Sequence, residues 1–236
     1  MAIWFALILA AYLLGSVPVA YLTARVARGI DIRQYGTGQS GGGNLWRMTS
    51  WKLGIPVGAF DLGKGMAMVW VAQILGLSVA QQLVVGAAAV VGHNWSVFLR
   101  FGGGRGIATS MGVVLIIPII NEMTPWPTIT CFAFLATGFV ILRSSPLPVL
   151  ASVTSLPIVS AICEPLTTTL GFLAIFLMVV VKRLAGPGAT EAAAISKKRM
   201  LLNRLLFDRD IMDRKTWMYR RPFKAKDIEE LSEEID

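Results

Sequence analysis

The chain has 236 residues, 55% of them hydrophobic and 15% charged, with a formal net charge of +8. A soluble domain of this length rarely combines so much apolar sequence with so little charge, so the composition reads as a polytopic membrane protein. Its 22 Lys and Arg gather between the apolar runs and in the tail, where their placement reports orientation.

The first predicted element covers 2–24, uncharged and long enough to cross a bilayer as a helix. A basic loop follows it directly, so it reads as a retained span and not as a cleaved signal peptide. Further spans are predicted over 54–79, 80–99, 107–120, 127–142, 147–163 and 166–181, which makes seven. The last four lie at or below the ~17-residue lower limit for crossing the hydrocarbon, so they borrow flanking residues or sit in thinned lipid. With the N-terminus outside, the inside loops hold Arg25, Arg28, Arg33, Arg47 and Lys52, then Arg100 and Arg105, then Arg143, then Lys182 and Arg183 with the basic tail. The outside turns carry Glu122 and Glu164 instead, which predicts an N-out, C-in topology.

The first inside loop reads GTGQSGGGNLWR over 36–47, and Gly36 to Gly41 match the dinucleotide spacing G-x-G-x-x-G. That fingerprint requires a preceding buried strand and a βαβ unit, and the apolar run before it is a membrane span. Span two carries Asp61 and Lys64, three apart on one helical face with the acid first, the favoured order for a pair. They form either an ion pair at the membrane edge or the charged lining of a polar cavity.

His93, the single histidine, lies at the inner end of the third span, and GHNWSVFLRFGGGRGIATS over 92–110 covers that end, the second inside loop and the start of the fourth span. His93 is either a hydrogen-bonded residue that orients the second glycine loop or a general base, and no carboxylate partner is visible for it. Cys131 and Cys163 match no metal-ligand spacing and read as reduced, structural thiols. Beyond 183 the chain turns polar. SKKRMLLNRLLFDRDI interleaves Met200, Leu201, Leu202, Leu205 and Leu206 with basic residues, which predicts an amphipathic helix on the inner leaflet. The end, KDIEELSEEID, is acidic and predicted to be loosely ordered. The organisation is thus one transmembrane unit over 1–183 and a cytoplasmic tail over 184–236.

Two glycine-rich loops on one face, each with an amide side chain and an Arg, are what an anion site requires. Glycines let backbone N–H groups converge on phosphate oxygens, and a following helix N-terminus adds free N–H groups. Arg47 and Arg105 can clamp the phosphate with paired hydrogen bonds. A non-enzymatic membrane protein that binds or transports a phosphorylated metabolite or lipid headgroup with the same cationic face is the competing reading. Transport requires polar residues continuing to the outer side, and spans four to seven offer almost none.

LLGSVPVAYLTARVARGIDIRQYGTGQSGGGNLWR, FDLGKG, GHNWSVFLRFGGGRGIAT and LLNRLL, in this order, resemble the acyl-phosphate-dependent glycerol-3-phosphate acyltransferases of bacterial membranes, the PlsY type. The resemblance implies an all-α enzyme of the inner membrane, with its active face cytoplasmic. It moves a fatty acyl group from acyl phosphate to the sn-1 hydroxyl of glycerol 3-phosphate. The partners implied are these two substrates and the bilayer, with no nucleic acid, no cofactor and no metal. The implied catalytic positions are His93, Arg105 and Asn44. The implied phosphate-binding set is Thr37, Gly38, Gln39, Gly41, Gly42, Gly43 and Arg47 in the first loop, and Asn94, Gly103, Gly104 and Gly106 around the second. Lys198, Arg199, Asn203 and Arg204 complete it from the tail. Against the family pattern, Thr37 stands for Ser, Gln39 for Asn, Gly43 for Thr and Lys198 for His. Gly102 and Arg105 replace two Lys, and the second swap keeps the charge. These changes leave a different phosphorylated acceptor as a further reading.

Overall fold

The structure is a computed structural model that describes residues 1–141, 145–186, 196–213 and 217, and all its regular elements are helices. In chain order they are α1 (Ala2–Ser16), α2 (Val19–Arg28), α3 (Gly42–Met48), α4 (Trp51–Ile74), α5 (Val79–Asn94), α6 (Ile107–Ile120), α7 (Trp126–Val140), α8 (Pro146–Cys163), α9 (Leu166–Leu184) and α10 (Lys197–Phe207). Single 3₁₀ turns occur at Ile32–Gln34 and Val97–Leu99. The absence of any strand among the described residues removes the dinucleotide fold.

Four stretches are long and apolar enough to cross a membrane: Ala2–Arg28, Trp51–Ile74, Pro146–Cys163 and Leu166–Leu184. The first is α1 and α2 together, broken at Val17 because Pro18 lacks the N–H that would continue the ladder. Helix α6 coincides with the predicted run over 107–120. Helix α5 stops at Asn94, short of the predicted 99, because the chain folds back in a tight turn. In it, Ser96 N–H donates to Gly102 and Phe101 N–H donates to Ser96. Helix α4 begins at Trp51 and ends at Ile74, and Gly76, at a φ of 70°, turns the chain out of it. The end of the fifth predicted span at Leu142, the loop with Arg143 and the acidic terminus over 226–236 lie outside the described residues.

The surface is inverted relative to a soluble protein. Phe5, Leu9, Trp70, Ile158 and Leu170 are more than half exposed, whereas Asp61, Lys64, His93 and Asn94 are buried. Exposed apolar faces of this kind suit lipid contact. Reciprocal glycine contacts hold the bundle together. Gly15 of α1 abuts the Ala89 carbonyl of α5 while Gly92 abuts the Tyr12 carbonyl; Gly65 of α4 abuts the Thr109 carbonyl of α6 while Gly112 abuts the Leu62 carbonyl. Without side chains at these crossings the backbones approach closely, the packing mode that lipid, lacking a hydrophobic drive between helices, favours. The main apolar core runs through α4 to α9 around Val69, Val90, Val113, Ile117, Leu156 and Phe172.

Helix α10 packs on α8 and α9. Its buried residues are the polar Asn203 and Arg204, while Leu202 stands 54% exposed. Met200, Leu201, Leu205 and Leu206 are half-buried. Arg204 pairs with Asp210 at 2.5 Å and donates to the Leu184 carbonyl, and Asn203 donates to the Asp210 carbonyl. A hydrogen-bonded ion pair helps to fix the orientation.

Candidate active site

Glycine crossings flank the buried charges. Gly65 follows Lys64, Gly92 precedes His93, and Gly15 lies at the end of α1, so the close crossings bring these groups together below the surface. Asp61 Oδ1 lies 2.8 Å from Lys64 Nζ and 3.3 Å from His93 Nδ1. Lys64 Nζ also reaches His93 Nδ1 at 2.9 Å and the Gly15 carbonyl at 2.9 Å. Asp61 and Lys64 are 3% and 4% exposed. His93 therefore has a carboxylate partner after all. The partner stands on another helix, 32 positions earlier in the chain, where sequence spacing alone cannot reveal it.

The two glycine loops meet. Ser40 N–H donates to the Gly103 carbonyl at 3.4 Å, and Gly104 N–H returns to the His93 carbonyl at 3.0 Å. In the first loop Asn44 is the knot. Its Oδ1 accepts from Thr37 N–H at 2.9 Å, and its Nδ2 faces the carbonyls of Gln39, Tyr35 and Ile32 at 3.0–3.2 Å. Thr37 Oγ1 accepts from Gln39 N–H. Gly36 and Gly38 take φ values of 53° and 73°, which let the loop close around that amide. Just before it, the Arg33 guanidinium bonded to Asp31 at 2.7 Å holds that carboxyl below its ordinary value.

A cleft of about 1220 Å³ opens between these loops. Its polar mouth is formed by Arg28, Arg47, Lys52, Arg105 and Arg183 together with Thr37, Gln39, Gly41, Gly42, Gly43 and Asn44, and Asp61 and His93 lie on its wall. Its other wall is apolar, from Leu62, Ile107, Met111, Phe132, Leu135 and Val149. Arg47 also donates to the Gly43 carbonyl at 3.1 Å. Helix α6 opens onto the cleft after Gly106, at a φ of 71°, with no side-chain cap.

The predicted residues divide accordingly. Thr37, Gln39, Gly41, Gly42, Gly43, Asn44, Arg47, His93, Arg105 and Gly106 share the cleft. Gly103, Gly104 and Gly106 press on the His93 and Asn94 carbonyls, the His93 ring and the Asn94 amide respectively, so packing accounts for all three. Asn94 lies fully buried beneath Gly106, its side-chain nitrogen and oxygen lacking hydrogen-bond partners among the described residues. Asn203 and Arg204 hold the tail, and Lys198 and Arg199 lie on the exposed face of α10. Sequence reasoning missed Arg183, which donates to the carbonyls of Leu205 and Pro146, and Lys182, which donates to the Asn94 carbonyl with its ammonium over the Trp95 ring. It also missed Asp208, which pairs with Arg105. The charge of each was readable, but Lys182 meets its partners at the end of α5, Arg183 at α8 and the tail, and Asp208 at the second glycine loop, contacts between distant segments that sequence spacing does not reveal.

Fold and site together define an integral-membrane helical protein with a cationic cleft that continues into an apolar one, a shape for an amphiphilic anion. The sequence pattern of the family described as glycerol-3-phosphate acyltransferase matches residues 5–185. The chain belongs to this family and is a membrane acyltransferase. It is 40% identical over 225 residues to glycerol-3-phosphate acyltransferase 4 of Dehalococcoides mccartyi strain CBDB1, spanning 92% of this chain and 94% of that one. To the glycerol-3-phosphate acyltransferase of Thermus thermophilus it is 40% identical over 175 residues, covering 74% and 86%. The crystal structure of PlsY, an integral membrane glycerol 3-phosphate acyltransferase, in its glycerol 3-phosphate form is similar at a TM-score of 0.68 and 26% identity, over 76% of this chain and 88% of that one. The lysophosphatidic acid form has the same fold, with a TM-score of 0.67 at 24% identity, over 87% and 97%.

Proposed function

We propose that this chain transfers a fatty acyl group from acyl phosphate to the sn-1 hydroxyl of glycerol 3-phosphate, giving lysophosphatidate and inorganic phosphate. The observation that carries the reading is the composition of the cleft, with five cations and the first glycine loop at its mouth and apolar side chains from α4, α6, α7 and α8 beyond. Both substrates carry phosphate, and one carries a hydrocarbon chain. In this reading Arg47, Arg105 and the amides of Gly41 to Gly43 neutralise the phosphates, and the acyl chain lies along Met111, Phe132, Leu135 and Val149.

Acyl phosphate is a mixed anhydride, already activated, so the reaction proceeds without a covalent enzyme intermediate. The sn-1 oxygen forms the new bond to the acyl carbon, the bond from that carbon to the phosphate oxygen breaks, and phosphate leaves with the electron pair. The hydroxyl proton passes to a phosphate oxygen. The protein supplies proximity and charge stabilisation. Asn44 acts through the loop it ties.

The arrangement in the membrane belongs to the same proposal: seven spans, the N-terminus outside, and the cleft on the cytoplasmic face of the bacterial inner membrane. Its support is that the cations around the cleft share one end of the bundle, while Glu164 pairs with Thr124 in the turns that carry the acidic residues. The tail over 184–236 forms a cytoplasmic appendage to a transmembrane unit over 1–183. The deciding experiment gives the purified protein in detergent glycerol 3-phosphate with palmitoyl phosphate or palmitoyl-CoA. Lysophosphatidate from the acyl phosphate alone supports the reading; none from either donor, or the thioester preferred, overturns it.

A further inference from the structure

The acyltransfer reading leaves unused a buried cluster at the cleft wall: Asp61 and His93, which line it, and Lys64, which contacts both. All three protons of the Lys64 ammonium have acceptors within reach, namely the Gly15 carbonyl at 2.9 Å, Asp61 Oδ1 at 2.8 Å and His93 Nδ1 at 2.9 Å. Two donors do not face each other at that distance. Asp61 Oδ1 lies 2.8 Å from Nζ and 3.3 Å from Nδ1, so the carboxylate holds the shared proton on the nearer nitrogen, Lys64, and Nδ1 accepts. A neutral imidazole with Nδ1 accepting carries its hydrogen on Nε2. That atom faces Gly104: a β-carbon there would collide with Nε2 itself. No hydrogen bond among the described residues engages Nε2, and His93 lines the cleft.

We infer that Lys64 and Asp61 are positioning residues that fix His93 as a hydrogen-bond donor at Nε2, directed to the cleft edge beside Gly104. The donor's target rests on the acyltransferase reading: it is the oxygen on which negative charge grows as the hydroxyl attacks, either the acyl carbonyl or the departing phosphate. The tautomer itself does not rest on it. His93 therefore takes no proton from the hydroxyl, because Nε2 already carries one and Nδ1 is filled by Lys64. It stabilises charge as a neutral donor, a role imidazole performs in other enzymes. Asp61 keeps the ammonium charged and in place, which the burial of both groups requires.

The chain has one histidine, so ring-¹⁵N-histidine labelling reports this residue alone. In the wild-type protein in detergent the spectrum should show a single neutral form, with a proton-bearing Nε2 and a proton-free Nδ1. A proton on Nδ1, or an imidazolium at the pH of full activity, overturns the inference. Asp61→Asn with Lys64→Met removes both charges together and leaves neither unpaired. Both tautomers should then appear, and an unchanged spectrum overturns the positioning role. Kinetics test the donor separately. His93→Gln, whose amide nitrogen approximates Nε2, should keep kcat within about tenfold of wild type, whereas His93→Phe should lose on the order of a hundredfold at similar KM, the size of a lost transition-state donor. Equal losses in the two variants overturn the donor role. Should the wild type make no lysophosphatidate, the acyltransfer reading fails while the tautomer result stands.

Discussion

Arg105 and Asp208, 103 residues apart in sequence, meet at the cleft with Nε 2.8 Å from Oδ2, and the same guanidinium donates from its second nitrogen to the Asp208 carbonyl at 3.3 Å. Asp208 closes α10 in the left-handed conformation at a φ of 58°, which Asp tolerates better than most residues. The edge of Arg105 suited to two phosphate oxygens is therefore held by the tail, and an arriving phosphate competes with a carboxylate. Asp208→Asn removes that competing charge. The KM for glycerol 3-phosphate should fall about two- to fivefold, the worth of a partly exposed ion pair of roughly 0.5–1 kcal/mol. A rise in KM in steady-state assays would instead make Asp208 the support that holds Arg105 in position.

The cations themselves give larger effects. Arg105→Ala and Arg47→Ala each remove a charge-assisted hydrogen bond to phosphate, worth about 1.5–3 kcal/mol, and kcat/KM should drop roughly ten- to more than a hundredfold. Arg105→Lys should retain part of the activity, since an ammonium still meets an oxyanion although the planar fork is lost. The measurement is a matched kinetic series with melting temperatures taken in parallel. Near-parental kcat/KM in both alanine variants would remove the phosphate site from the cleft mouth.

Gly104→Ala separates close packing from a mere connector. The added methyl meets His93 Nε2, and the ring is held on its other side by Lys64 and Asp61, so the ring or the loop must move. A misplacement of about 1 Å in a reacting group costs on the order of a hundredfold in rate. Turnover should fall by that amount while the protein still inserts and melts cooperatively. Unchanged turnover would mean that His93 does not act on the substrate.

How much of this was legible follows from what each residue depends on. The apolar run over 107–120 is α6 because its pattern is local, and the two glycine loops were readable as one site because both lay on the same side of the predicted spans. Asp61 and Lys64 announced a pair through their spacing. The pairing of Asp61 with His93 did not, since it depends on α4 and α5 crossing at glycine contacts. The tail's contacts were hidden for a related reason. Its leucines mark an apolar stripe, but the stripe does not reveal that Arg204 meets Asp210 six residues on and the Leu184 carbonyl of α9. In the second loop the glycines read as an anion cradle, and their close neighbours prove to be His93 and Asn94.

Orientation is testable without any assay of chemistry. A reporter fused after Asp236 should be cytoplasmic, and one inserted at Thr124, beside Glu164, should be exposed outside. Both reporters in one compartment would mean an even number of crossings between them and would remove the cleft from the face that supplies the soluble substrate.

Asn44 supplies the last test, because an amide engaged on both sides by its own loop is poorly placed to touch a substrate as well. Its oxygen accepts from Thr37 N–H and its nitrogen serves the carbonyls of Gln39, Tyr35 and Ile32, all within 3.2 Å. Asn44→Ala leaves these groups unpaired in a buried loop and should cost about 2–3 kcal/mol of stability, with KM for glycerol 3-phosphate rising as Gly41, Gly42 and Gly43 lose their fixed position. Asn44→Asp should be worse at neutral pH, since a carboxylate oxygen then faces three carbonyl oxygens. Thermal melts and Michaelis constants on the two variants decide between the roles. Asn44→Ala with wild-type melting and lost kcat would make Asn44 a group that acts on the substrate directly. A lower melting temperature with a raised KM, and Asn44→Asp less stable still, makes it the residue that shapes the first glycine loop.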